Sequence, residues 1–218
     1  MIKKLLYTWL SREVLPSAHL TLFDTNQLLK TAKPADIWLI EGRSRLSRII
    51  GVITRSPWTH AALYLGNPQE FLPDLPDEPV LIECLMEKGV VITPVSAYQN
   101  EHIRVCRPKG LMPADAKKVL HYTIERLGKS YDTLQIFDLA RFLYPWPILP
   151  RRWHSSLFNY RAGDMVKLTC SCLLADAFES VGFPILPDAY QDNQGGYQFV
   201  LRNPKLFTPR DFDYSPFL

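Results

Sequence analysis

An antiparallel sheet packed against helices, an α+β fold, is predicted by two features of this chain. Strand-like runs return one after another between turn residues, and apolar stripes at helical spacing open and close at Ser, Pro or Gly. Composition agrees: of 218 residues, 47% are hydrophobic and 22% charged, ordinary values for a folded chain that can bury a core.

Taken in order, residues 2–15 read as an amphipathic helix stopping before Pro16. Residues 36–41 form a short strand after Pro34, and 44–53 a small helix carrying Leu46, Ile49, Ile50 and Ile53 on one stripe. Pro57 resets the chain, and residues 59–65 follow as a strand closed by Gly66. The four prolines and several acids of residues 67–79 mark a long loop. Strands at 80–86, 89–94 and 102–107 extend the pattern into a meander of about four antiparallel strands. Pro113 opens a helix that Gly128 closes. A second helix is expected over 132–143, an irregular proline-rich excursion over 144–165, and a third helix from Cys170 to Val181 with Gly182 as its stop. The proline-rich tail is expected to wrap the surface. This divides the chain into an N-terminal helix and linker, 1–32, and a folded body, 33–218.

Several classes fall away. The net charge of +3 and the lack of any Lys/Arg run give no basis for nucleic-acid binding. Cys84 and Cys106 lie inside strand-like runs as small core residues. Cys170 and Cys172 form C-x-C, the spacing of neither a zinc knuckle nor a C-x-x-C pair. No disulfide framework, metal site or cofactor is expected. A reducing, cytoplasmic setting fits best. The apolar run near Met1 is short and closed by Ser11, Arg12 and Glu13, without a clean cleavage site. Residues 1–15 are expected to dock on their own domain, with peripheral membrane contact as the alternative.

Three residues carry the chemistry. Thr169 is a plausible N-cap, which puts Cys170 at the first turn of its helix, where unsatisfied N–H groups favour a thiolate. A small core residue is the competing reading. Cys172 points elsewhere, with Leu173 and Ala177 on the packed side. His60 precedes the small, aliphatic run Ala61-Ala62-Leu63-Tyr64-Leu65-Gly66, a rigid support for a general base; a structural histidine is the alternative. Glu83 sits mid-strand, where a carboxylate needs either solvent or a partner. If its strand pairs antiparallel with that of His60, it can accept the imidazole N–H and fix the tautomer.

With Leu127-Gly128-Lys129-Ser130-Tyr131 these residues form an ordered set: histidine strand, Leu-Gly-x-x-Tyr turn, then Thr169-Cys170-Ser171-Cys172-Leu173-Leu174. The set resembles the circularly permuted branch of the NlpC-like cysteine peptidases, the YiiX-like group with a papain-like fold. Ala35-Asp36-Ile37 is similar to the family's Gly-Asp-Ile strand, with Ala35 in place of glycine. Thr208-Pro209-Arg210-Asp211-Phe212 is similar to its Thr-Pro-x-Asp-Leu element. The resemblance implies Cys170 as nucleophile, His60 as base, Glu83 as the third polar residue, and Tyr131 beside the oxyanion site. It implies a thiol hydrolase cleaving an amide or ester through a thioester, acting on a small peptide, amide or lipid. A lipid-directed acyltransferase and a non-catalytic binding protein are the alternatives. Cys172, two positions after the nucleophile, departs from the family's usual glycine or glutamate.

Overall fold

The computed structural model describes residues 8–14, 25–85, 88–129, 170–191 and 196–218. The elements are α1 (Thr25–Thr31), β1 (Ile37–Glu41), α2 (Arg45–Thr54), β2 (His60–Gly66), β3 (Val80–Leu85), β4 (Gly89–Pro94) and β5 (His102–Cys106). They continue with α3 (Pro113–Ile124), α4 (Cys170–Glu179), β6 (Asp188–Gln191), β7 (Tyr197–Val200) and α5 (Pro209–Asp213).

Strands β1 to β5 form one antiparallel sheet in the order β4-β3-β2-β1-β5. The meander expected over 59–107 holds for β2 to β4 only: β5 does not join β4 but crosses the sheet and pairs with the outer edge of β1, whose backbone groups would otherwise stay unpaired. Strand β2 is therefore central, and from Ala61 to Gly66 it is wholly buried. Its alternating residues serve two cores. Ala61, Leu63 and Leu65 face α3 and α4, whose Val119, Leu120, Leu173, Leu174, Ala177 and Phe178 are shielded from solvent. Ala62 and Tyr64 face the opposite layer with Trp38, Ile40 and Leu81, closed by Leu28, Leu29 and Ala32 of and beside α1. Trp38 stacks on Tyr64 at 5.5 Å between ring centroids.

Two polar devices fix β1. Ala35, where the family has glycine, takes φ 70°, so the chain turns sharply into the strand. Asp36, 1% exposed, accepts from the Lys33 N–H at 2.8 Å and from Arg107 at 2.9 and 2.7 Å. Asp36→Ala removes the acceptor of the Lys33 N–H and leaves the half-exposed Arg107 only the Thr31 carbonyl, and should cost about 2 kcal/mol in urea unfolding.

Two local readings change. Residues 8–10 are helical, but Ser11 and Arg12 bend and Glu13 bridges Ser44, so the described part of the N-terminal helix ends well before Pro16. The reason is a competing partner: Val14 N–H donates to the Arg43 carbonyl at 3.0 Å, and Arg45 N–H to that of Arg12 at 3.1 Å. Leu10 is buried there. The tail is more ordered than a surface wrap, since β6 and β7 pair and α5 opens with a Thr208–Asp211 capping box. The helix expected over 132–143, the 144–165 excursion and Thr169 lie outside the described residues. No helix among the described residues is long and apolar enough to cross a membrane.

Candidate active site

Register brings His60 and Glu83 together. Ala62 pairs with Glu83 across β2 and β3. His60, two residues earlier on the same face, is thus the diagonal neighbour of Glu83. The imidazole Nε2 and Glu83 Oε2 are 2.5 Å apart. Glu83 is 1% exposed and the His60 side chain 18%, so the carboxylate end of the contact is shielded from water while the ring stays partly open.

Two further residues hold the carboxylate. The Thr93 hydroxyl donates to Oε1, and the Tyr98 hydroxyl donates to Oε2 at 2.6 Å. Leu81 pairs with Thr93 and Glu83 with Val91, so Thr93 is again a diagonal neighbour on the same face. Tyr98 comes from the single 3₁₀ turn Val95–Tyr98 after β4. Nothing local in the sequence marks either residue; only the β3–β4 register does. Burial raises the Glu83 pKa, but its hydrogen bonds and charge interaction with His60, then those with Thr93 and Tyr98, outweigh it and hold the carboxyl below its ordinary value. Tyr98→Phe should lower stability by about 1 kcal/mol in denaturant melts and leave Glu83 with one donor fewer.

Cys170 opens α4, which packs against β2 and β3. Its thiol and the His60 ring lie close enough for each to favour the other's charged form. Because Glu83 engages Nε2, Nδ1 is the nitrogen left for sulfur. Burial raises the thiol pKa, yet the imidazolium, the Ala61 backbone N–H and the Ser171 hydroxyl together hold it below the ordinary value. Burial likewise disfavours charge on His60, and the Cys170 thiolate, then Glu83, outweigh it, holding the imidazole above its usual range. Cys84 is the contrast: burial, then the negative charge of Cys170, Cys172 and Glu83 nearby, pushes its thiol up to about 12. Cys172 is buried and donates to Asp176 Oδ2 at 3.6 Å.

The structure thus brings Cys170, His60 and Glu83 to one end of β2, as a thiol, an imidazole and a carboxylate in series. Such a series can hold an imidazolium–thiolate pair and pass a proton between sulfur and a bound molecule. Tyr131 lies outside the described residues. No group of three or more His, Cys, Asp or Glu among the described residues is disposed to hold a metal ion.

A family model described as permuted papain-like amidase enzyme, YaeF/YiiX, C92 family, matches residues 31–141. That is just over half the chain; it includes His60 and Glu83 and ends before Cys170. Among solved structures, the chain is similar to metalloprotein yiiX from Escherichia coli O157:H7. The TM-score is 0.51 and the identity 16%, covering 85% of this chain and 93% of that one. At that identity the likeness carries the fold, and with the family match it makes this sheet-and-helix architecture a permuted papain-like one. No curated protein matches.

Proposed function

This chain belongs to the C92 family of permuted papain-like amidases, the YaeF/YiiX group, and on that premise we propose that it hydrolyses amide bonds through an acyl-enzyme on Cys170. Membership makes it a cysteine hydrolase of the amidase type. The observation that supports the finer reading is the placement of Cys170, at the start of α4 on β2, beside the contact of His60 with the buried Glu83.

In this reading the Cys170 thiolate attacks the carbonyl carbon, forming the C–S bond as the carbonyl oxygen takes the electron pair. The oxyanion gathers donors from backbone N–H groups opening α4, with Tyr131 assigned beside them by the family pattern. The imidazolium delivers its proton to the leaving nitrogen as the C–N bond breaks. Neutral His60 then takes a proton from water, whose oxygen displaces sulfur and releases the acid. Glu83 steadies the ring through both transfers, keeping Nε2 protonated so that Nδ1 does the exchange.

The test is a panel of N-acyl anilides and dipeptide amides, with acid-quenched mass spectrometry. An acyl adduct on Cys170 is expected. Cys170→Ala should lose the adduct and about 10⁴-fold or more of the turnover. Turnover kept by Cys170→Ala would overturn the assignment.

A further inference from the structure

Helix α2 is mounted the wrong way round for a core helix. An amphipathic surface helix ordinarily turns its apolar stripe inward. Here the inward side is the small, polar one. A Cβ on Gly42 would fall 2.4 Å from Ser47 Oγ and 3.2 Å from Oγ1 of the buried Thr59, and one on Gly51 would fall 3.6 Å from Thr59 Cγ2. Ser47 and Gly51 therefore mark the side pressed on the body. At 100° per residue, Leu46, Ile49, Val52 and Ile53 lie roughly 120–180° round the axis from it. None of them joins either apolar core among the described residues, and no residue of α2 is buried. Val52 is 71% exposed and Ile53 40%.

The same surface is cationic. Arg43, Arg45, Arg48 and Arg55 fall in a stretch with no acid between Glu41 and Glu70. Arg43 is tied to Glu101 at 3.1 Å, whereas Arg48 and Arg55 are exposed and have no ion pair among the described residues. Arg45 lies 4.7 Å over the ring of Trp9, itself half exposed, which extends the patch with an interfacial aromatic.

We propose that α2, with Trp9, seats the protein on an anionic lipid surface. Exposed Val52 and Ile53, flanked by Arg48 and Arg55 that have no ion pair among the described residues, are the features such a surface binds, apolar atoms entering the acyl boundary and guanidinium groups meeting phosphate. A second copy fits worse, because a two-fold contact through this face would set arginine against arginine. Helix α2 ends six residues before His60, so docking would set the approach to the site.

The experiment is co-sedimentation of the full chain with phosphatidylcholine vesicles, with and without about 30% phosphatidylglycerol. Binding is expected to the anionic vesicles only, and to weaken as salt rises from about 0.1 to 1 M. Val52→Ser with Ile53→Ser should weaken it tenfold or more, and Arg48→Gln or Arg55→Gln about fivefold each, with circular dichroism and Tm unchanged. No pelleting with anionic vesicles overturns the proposal. So does pelleting that survives the α2 changes but is lost in Lys3→Gln with Lys4→Gln. A lower Tm in the serine variant without vesicle binding would mean that the chain covers this face itself. A dimer in sedimentation velocity that the serine variant dissolves would mean a second copy does. Either result also overturns it.

Discussion

Iodoacetamide should alkylate Cys170 at pH 5.5 about tenfold faster than it does an ordinary thiol, and His60→Ala should remove that advantage. With a pKa of about 8.5, a free thiol is about one part in a thousand thiolate at that pH. Holding Cys170 as thiolate raises that fraction, while the lower basicity of the sulfur returns part of the gain. Peptide mapping is needed because Cys84, Cys106 and Cys172 are further thiols, buried and outside any disulfide. Labelling that titrates like a free thiol and is unaffected by His60→Ala would remove the ion pair from the mechanism.

The sign of the pH dependence follows from the same contacts. The pKa of Cys170 is lowered and that of His60 raised, so the reactive pair exists between the two apparent values. Turnover should fall on the acid side as sulfur gains a proton, and on the alkaline side as the imidazolium loses one. Stability follows each shift in turn. The share from His60 is full below the unfolded imidazole pKa of about 6.5 and fades as pH climbs through the raised folded value. The share from Glu83 is full above the unfolded carboxyl pKa of about 4.3 and fades as pH drops through the lowered folded value.

What the sequence could reveal depended on range. His60 and Glu83 were legible because both sit on strands whose order and pairing follow from short turns, and one register step relates them. Cys170 was legible from local helix signals. Thr93 and Tyr98 were not: their meeting with Glu83 depends on the β3–β4 register and on a 3₁₀ turn, neither written in a local motif. Periodicity found α2 but not its orientation. A hydrophobic stripe says which residues share a face, and only the small residues Gly42, Ser47 and Gly51 say which face touches the body. The early end of the N-terminal helix was hidden too, because its competitor, the backbone of Arg43 to Arg45, lies some thirty residues on.

Glu83 is where stability and turnover should separate. Its buried carboxylate accepts from the imidazole and from two hydroxyls. Glu83→Ala strands those donors and should cost about 3–5 kcal/mol, read as a lower urea midpoint. Glu83→Gln keeps the volume and one accepting oxygen, so most of the fold's stability should survive. What it loses is the negative charge that helps hold His60 protonated. The alkaline limb of the rate profile should therefore move to lower pH, with kcat/KM down by about 10²-fold. Asn in this place would fail differently, because its shorter side chain gives up the contact itself. A Gln variant with wild-type rate and an unmoved alkaline limb would show that Glu83 serves the sheet and not the imidazole. A shifted limb at nearly unchanged stability would tie the carboxylate to the chemistry, since a merely structural role has no means of moving the ionisation of His60.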